Sequence, residues 1–276
     1  MSYDVPKNLL SVNNNKTIKG QKKGVRTYIM YLSPHKDNSR GVNLCPKASA
    51  GCAKACLFNS GAARFNRVQA GKRNKTEYFL ADMGGYMAQL DKEITAITAR
   101  EAKKGEFDVA IRLNGTTDFR FENLIVRDGK NIFELHPTIQ FYDYTKIAKR
   151  FTVEMPKNYH LTFSRSETNH KEVVEVLANG GNVAVVFEEK PEFYLGYPVI
   201  DGDESDLRFM DEKNVVIGLT YKRASVKGGG EINDDAINSG FVVTNEMLKV
   251  TPKMVKVAVN KVVIDEKTGK KWLKVA

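Results

Sequence analysis

Residues 159–187, YHLTFSRSETNHKEVVEVLANGGNVAVVF, carry the pattern from which the rest of the fold follows. The first six residues are of strand type, and the last six, Asn182–Phe187, end in a five-residue apolar run that is typical of a strand buried on both faces. Between them, Lys171–Asn179 has apolar residues at helical spacing and stops at Gly180 and Gly181, which suit a left-handed helix cap. A strand, a helix and a strand in succession predict parallel strands joined by a crossover helix.

Similar apolar runs recur on both sides of this unit. They are Arg26–Leu32, Asp108–Asn114, Thr138–Tyr142, Pro198–Asp201 and Asn214–Leu219. A long helix that ends near Gly105 is also expected, because apolar residues recur there at intervals of three and four. About seven strands with helical crossovers predict an α/β fold, an incomplete parallel β/α-barrel-like domain related to the TIM barrel. A doubly wound sheet is the alternative, and the segment between Phe187 and Pro198 is too short for a crossover helix.

The chain is expected to form one main domain with two appendages. Residues 1–24 are a basic leader that we expect to be partly irregular, and residues 25–250 form the β/α-barrel-like domain. Residues 251–276 read as a C-terminal β-hairpin with its turn at Glu266–Gly269.

Composition narrows the class of protein. The 276 residues are 42% hydrophobic, enough for a sizeable core. The N-terminus has no apolar run of signal-peptide length, and no segment approaches the roughly 18 apolar residues of a spanning helix. These features predict a cytoplasmic protein without membrane contact. A net charge of +10, concentrated in residues 16–26, 64–75 and 267–274, permits binding of nucleic acid or anionic metabolites, or is simply a solvated basic face.

The three cysteines lie within twelve residues, as Cys45, Cys52 and Cys56. A disulfide is not expected in a reducing compartment and would leave one thiol over. Three thiolates suit a 4Fe-4S iron–sulfur cluster with one iron open to another ligand, or a 3Fe-4S cluster. Zinc with His35 as a fourth ligand, or a group of redox or structural thiols, are the alternatives.

Polar residues follow several predicted strands, at the sheet edge where β/α folds place their chemistry. The candidate catalytic residues are Asp118, Asp143 and Lys146, and the candidate substrate-binding residues are Asn114, Ser164, Arg165, Asp201, Asp203 and Lys222. The same residue types are also common in turns and caps. The set predicts a small-molecule site near the cysteines.

Six segments resemble the phage gene product 88 family between about Tyr28 and Lys222. They are CPKASAGCAKACL, RLNGTTD, FYDYTK, YHLTFS, VIDGDESDLRF and VIGLTYK. The resemblance implies a viral (bacteriophage) protein that acts in the bacterial host's cytoplasm and binds a cluster through cysteines. Carried onto this sequence, the family's recurrent positions are Cys45, Cys52, Cys56, Asn114, Asp118, Asp143, Tyr144, Lys146, Ser164, Asp201, Asp203 and Lys222, without roles assigned to them.

The chain is also loosely similar to radical S-adenosylmethionine enzymes, which carry three cysteines after the first strand of a partial barrel. Their cysteines are separated by three and two residues, whereas six and three separate them here. Arg112-Leu113-Asn114-Gly115 stands where those enzymes have a glycine-glycine-glutamate sequence. The similarity implies S-adenosylmethionine as a second cofactor, and these departures weigh against it.

Three functional hypotheses follow. The first is an enzyme whose open iron acts as a redox, radical or Lewis-acid centre on a small molecule. The second is a non-enzymatic protein in which a cluster holds a long loop in place, while basic segments contact nucleic acid or a host protein. The third is a thiol oxidoreductase working with a host redox partner, although the chain lacks a Cys-x-x-Cys pair.

Overall fold

A computed structural model describes residues 3–12, 15–56, 65–221, 234–250, 262–264 and 271–273. The helices are α1 (Asn15–Gln21), α2 (Ala50–Lys54), α3 (Asn66–Ala81), α4 (Met83–Lys104), α5 (Ile132–Leu135), α6 (His170–Ala178), α7 (Asp235–Asn238) and α8 (Asn245–Val250). The strands are β1 (Leu10–Ser11), β2 (Val25–Met30), β3 (Asp108–Arg112), β4 (Gln140–Thr145), β5 (Tyr159–Ser164), β6 (Val183–Phe187), β7 (Phe193–Tyr194), β8 (Tyr197–Asp201), β9 (Val216–Thr220), β10 (Val262–Ile264) and β11 (Lys271–Leu273). Among the helices so described, none is long and apolar enough to cross a membrane.

The strands confirm an α/β fold with a mostly parallel sheet. Nine of them form one sheet in the order β1-β2-β3-β4-β5-β6-β9-β8-β7. The pairs β2/β3, β3/β4, β5/β6, β6/β9 and β8/β9 are parallel, whereas β1/β2 and β7/β8 are antiparallel. Within the described residues the sheet is open, with β1 and β7 at its two edges, so the barrel-like prediction is not confirmed.

The chain divides into two compact units, of which the first comprises residues 1–48, 55–162 and 204–211. Its core lies against α4, whose predicted apolar face is buried through Tyr86, Leu90, Ile94 and Ile97. This helix ends at Gly105, whose φ of 65° is left-handed, as expected of a glycine cap. The predicted leader contributes β1 and α1 to this unit, and the backbone N–H groups of Leu9 and Leu10 donate hydrogen bonds to Glu93.

The second unit comprises residues 49–54, 163–203 and 212–276. Helix α6 confirms the predicted crossover helix, with Val173, Val176 and Leu177 buried and a left-handed Gly180 (φ 82°) after its end. Val174 is only half-buried, and Val176 takes the core position instead.

The segment after β6 contains no crossover helix, in agreement with the prediction made from its short length. Strands β7 and β8 form an antiparallel hairpin whose turn residues Leu195 and Gly196 both have positive φ. The predicted C-terminal strands pair antiparallel as β10 and β11, with Val263 opposite Trp272. The turn expected at Glu266–Gly269 lies outside the described residues.

Candidate functional site

The loop after β3 is held by the side-chain amide of Asn114. Its Oδ1 accepts hydrogen bonds from Thr117 Oγ1 (2.9 Å) and the Phe119 N–H (2.8 Å), and its Nδ2 donates to the Phe119 carbonyl (3.0 Å). The next residue, Gly115, lies so close to the end of β2 that a Cβ there would be 2.6 Å from the Met30 carbonyl oxygen. The side-chain amide of Asn114, a candidate substrate-binding group, therefore forms its hydrogen bonds within its own loop.

Asp143, a candidate catalytic residue on β4, is 0% exposed. Its carboxylate accepts hydrogen bonds from the N–H groups of Asn114 (3.0 Å) and Leu113 (3.3 Å) and from Tyr159 Oη (2.9 Å). Arg112 Nε lies 3.8 Å away. Burial raises the pKa of Asp143 to about 6 against the lowering effect of Arg112 and these hydrogen bonds. The structure thus surrounds this carboxylate with protein donors.

Asp118 and Arg150 connect the loops that follow β3 and β4. Asp118 accepts hydrogen bonds from Thr145 Oγ1 and the Lys146 N–H, each at 2.8 Å, and from the Arg150 guanidinium at 3.4 Å. Arg150 also donates to Glu122 (2.9 Å) and to the Tyr159 hydroxyl (2.9 Å). Burial raises the pKa of Asp118, although these donors oppose it. The structure therefore brings Asn114, Asp118, Asp143 and the backbone of Lys146 together, as predicted from their positions after strands.

Arg112 belongs to the same network and was missed by the sequence reasoning. Its guanidinium donates to Asp206 (2.6 Å) and stands 5.5 and 5.1 Å from the ring centroids of Tyr142 and Tyr144. Burial alone would lower the pKa of Arg112, but Asp206, Tyr142, Asp143 and Tyr144 together raise it above its usual value. Arg112 sits inside a strand and Asp206 is 94 residues away, so no local pattern signals their pairing.

Two of the cysteines belong to the first unit. Cys45 is buried, and its Sγ donates to the Thr116 carbonyl at 3.7 Å. The neighbouring Leu44 carbonyl accepts from the Asp118 N–H at 2.9 Å, which places Cys45 beside the loop after β3. Cys56 is half-buried near Lys72, whose pKa is lowered by burial against an opposing effect of Cys56.

Cys52 lies in the short helix α2 of the second unit. The Glu167 carboxylate accepts hydrogen bonds from Ser49 Oγ (2.7 Å) and the Gly51 N–H (2.7 Å), and it thereby caps this helix. A Cβ on Gly51 would overlap Ser239 Oγ and the Phe241 Cβ, so only glycine allows α2 to pack this closely. Although burial opposes it, these hydrogen bonds hold the pKa of Glu167 below its usual range.

The cysteines supply the donor type that a cluster needs, but not a preassembled site. None of the three forms a disulfide. Over the described parts of the chain, no three His, Cys, Asp or Glu side chains are grouped as a bound metal ion requires. The chemistry of the three cysteines fits thiolate ligation of a cluster. In their described positions, however, the three side chains are not grouped into one binding site.

The remaining candidates in the second unit form separate groups. Arg165 donates to the Gly240 and Phe241 carbonyls, each at 2.6 Å, and the Ser164 carbonyl accepts from Asn169 Nδ2 at 3.0 Å. Lys190 Nζ donates to Asp201 (2.7 Å) and Asp203 (3.3 Å). The pKa values of Asp201 and Asp203 are both lowered: at Asp201 mainly by Lys190, and at Asp203 by the Thr220 and Lys190 bonds against burial. Lys222 lies outside the described residues.

Most cations of the basic segment at 64–75 that the structure describes are engaged within the protein. Lys72 is 7% exposed with its ammonium 5.2 Å from the Tyr31 ring centroid. Arg73 pairs with Asp37 at 2.9 Å, and Lys75 Nζ donates to the Leu9 carbonyl at 2.8 Å. Arg67 and Arg73 are exposed, Arg73 while paired with Asp37, so two of the four described basic residues of this segment face solvent.

Comparison with known proteins supplies the family. The searches of curated proteins and of solved structures found no match. The family model of gene product 88 matches residues 8–245, which include β1 through β9 and all the candidate residues above. The chain belongs to the gene product 88 family.

Proposed function

We propose that this protein binds an iron–sulfur cluster through Cys45, Cys52 and Cys56. The observation that carries the proposal is the concentration of all three thiols within twelve residues, none of them in a disulfide. Six of the nine intervening residues are Ala, Ser or Gly, which lets a backbone close around a bulky inorganic core and offer N–H groups to its sulfides. A 4Fe-4S cluster with one iron open to another ligand suits three thiolates best, and a 3Fe-4S cluster is the second form.

Fixed points on either side of the segment support this assignment. Cys45 is held through Thr116 and Leu44, and Cys52 is held through the Glu167 cap on α2. The residues between these points would adjust when a cluster is loaded, because the described arrangement is not that of a finished site. When bound, a cluster would supply electron transfer or an open iron for a ligand. In a bacterial host's cytoplasm, where we propose that this phage protein acts, thiols stay reduced.

The hydrogen bonding around Asp143 favours a binding or redox role over acid–base catalysis by that residue. A general base must reach the proton it removes, and Asp143 is 0% exposed with its oxygens already accepting from three donors. We therefore propose that Asp143 and Asp118 position the loops beside Cys45. An oxidoreductase, a radical enzyme using S-adenosylmethionine and a non-enzymatic host-binding protein are the forms that this function could take.

The test is elemental and spectroscopic analysis of protein purified without oxygen. We expect iron and acid-labile sulfide in similar amounts. The absorption spectrum should show a band typical of thiolate-bound clusters, and reduction should produce a paramagnetic resonance signal. Cys45→Ala, Cys52→Ala and Cys56→Ala should each lower the iron content. Lys47→Ala, an exposed residue of the same segment, is the matched control and should retain it.

The alternatives give distinct results. Zinc without sulfide would replace the cluster with a zinc site, and full iron in all three alanine variants would refute the ligand assignment. Titration with S-adenosylmethionine then separates the enzymatic forms, because a changed cluster spectrum indicates a radical enzyme and an unchanged one indicates another redox or structural role.

A further inference from the structure

A cleft of about 530 Å³ opens in the first unit beside the loops that follow β3 and β4. Its volume falls within the range of roughly 300–1,000 Å³ that is typical of small-molecule sites. Its lining includes Arg120, Glu134, Lys149, Val153, Glu154 and Met155. These residues belong to the segments between β3 and β4 and between β4 and β5.

The cleft presents two cations that form no ion pair with the described residues. Arg120 and Lys149 are exposed, and neither makes an ion pair with any residue that the structure describes. Arg150 lies behind them with a side chain that is 2% exposed. Its terminal nitrogens are used by Asp118, Glu122 and Tyr159, while its buried Nε has no acceptor among the described residues. Two side chains in this cleft can therefore bind a carboxylate without breaking an existing ion pair.

Carboxylates and an apolar wall complete the lining. Glu154 is exposed and pairs with no described cation, and Glu134 is exposed with one oxygen accepting from the Asn131 N–H at 2.8 Å. Ile147, Val153 and Met155 add apolar surface between these charges. A simple anion would meet the two carboxylates at a cost, and a simple cation would meet Arg120 and Lys149, so neither matches the whole lining.

We propose that this cleft binds a small zwitterion of the α-amino-acid type with an apolar side chain. The carboxylate of the ligand pairs with Arg120 and Lys149, its ammonium group pairs with Glu154 and Glu134, and its side chain contacts Val153 and Met155. This site is separate from the proposed cluster and goes beyond it. The two are nevertheless joined by Asp118, which bonds to Arg150 through its carboxylate and to the Leu44 carbonyl, next to Cys45, through its N–H.

Calorimetric titration of the full-length protein with L-leucine, L-methionine and L-phenylalanine tests the proposal. N-acetyl-L-leucine lacks the ammonium charge and L-leucinamide lacks the carboxylate charge, so each should bind about tenfold or more weakly than L-leucine. Lys149→Gln should weaken L-leucine binding severalfold and leave the weak binding of L-leucinamide unchanged. Glu154→Gln should weaken L-leucine and leave N-acetyl-L-leucine unchanged. Lys103→Gln, an exposed change on α4 outside the cleft, is the matched control.

Two results would overturn the proposal. One is equal affinity for L-leucine and its two singly charged analogues, which would mean that the paired charges do not select the ligand. The other is the absence of heat and of thermal stabilisation with all three amino acids at about 10 mM, a concentration that detects even millimolar affinity. Iron and sulfide analysis of the same sample shows separately whether the cluster proposal holds.

Discussion

Two aspartates of the molecule, Asp143 and Asp201, are in opposite environments although both lie on parallel strands of the same sheet. Asp143 is 0% exposed and is surrounded by donors from Leu113, Asn114 and Tyr159. The side chain of Asp201 is 53% exposed and pairs with Lys190 in contact with water. Burial, rather than sequence position, therefore decides whether such a carboxylate contributes to the architecture of the protein or only to its surface.

The largest effect should come from removing the buried member of this pair. Asp143→Ala leaves the Tyr159 hydroxyl and two backbone N–H groups without their acceptor and removes a carboxylate 3.8 Å from Arg112 Nε. We expect the free energy of unfolding to fall by about 3–5 kcal/mol. Urea denaturation followed by circular dichroism measures this change. Asp201→Ala is the matched control, with an expected loss of about 0–1 kcal/mol. Equal losses in the two variants would show that the buried network does not stabilise the fold.

The pH dependence of stability should differ in sign between the two aspartates. The pKa of Asp143 is raised from 3.8 to about 6, so the folded state holds a proton that the unfolded state has released. Its contribution therefore falls as pH rises from about 4 to 6. Asp201 has a lowered pKa, and its contribution is lost instead as pH falls below about 4.

Thermal melts of Asp143→Asn between pH 4 and 7 test this sign. The variant should lose part of the decline in stability that the wild type shows over that range. Asp118, whose pKa is also raised, contributes in the same direction and should preserve the remainder. If the stability of Asp143→Asn declines as steeply with pH as that of the wild type, a group other than Asp143 is responsible for the pH dependence.

The smallest effect should follow from the exposed pair. Lys190→Met removes the ammonium partner of Asp201 and Asp203, and we expect a loss of about 0–1 kcal/mol that shrinks further in high salt. Melting curves at low and high ionic strength measure it. A loss as large as that of Asp143→Ala would mean that this surface group is a structural centre after all.

The sequence predicted the parts of the fold that have a strong local pattern. The apolar run of β6, the amphipathic α6 and the Gly180 stop were found because hydrophobic period and cap chemistry agree there. Helix α3 was missed because its first two turns are polar and its buried aromatic residues, Tyr78 and Phe79, come only near its end. Strand β1 has two residues, which is too short for any periodicity to show.

The candidate site was predicted in the same uneven way. Asn114, Asp118 and Asp143 were identified because they follow strands, and the structure does bring them together. Their partners Arg112 and Arg150 were not identified, because the pairing of Arg112 with Asp206 depends on a contact between residues 94 apart in sequence. A sequence shows which side chains reach an edge of the sheet, whereas the folded chain decides whether they face a ligand or one another.

The two-residue strand β1 has a consequence for handling the protein. It covers the outer edge of β2, since Leu10 pairs with Met30 and Ser11 with Ile29. A shortened chain that starts at Val25 would leave that edge uncovered, with a row of unpaired N–H and C=O groups on a strand that is otherwise buried. Such an edge recruits copies of itself, so trimming the leader, which also removes α1 and the buried Leu9 and Leu10, would favour aggregation.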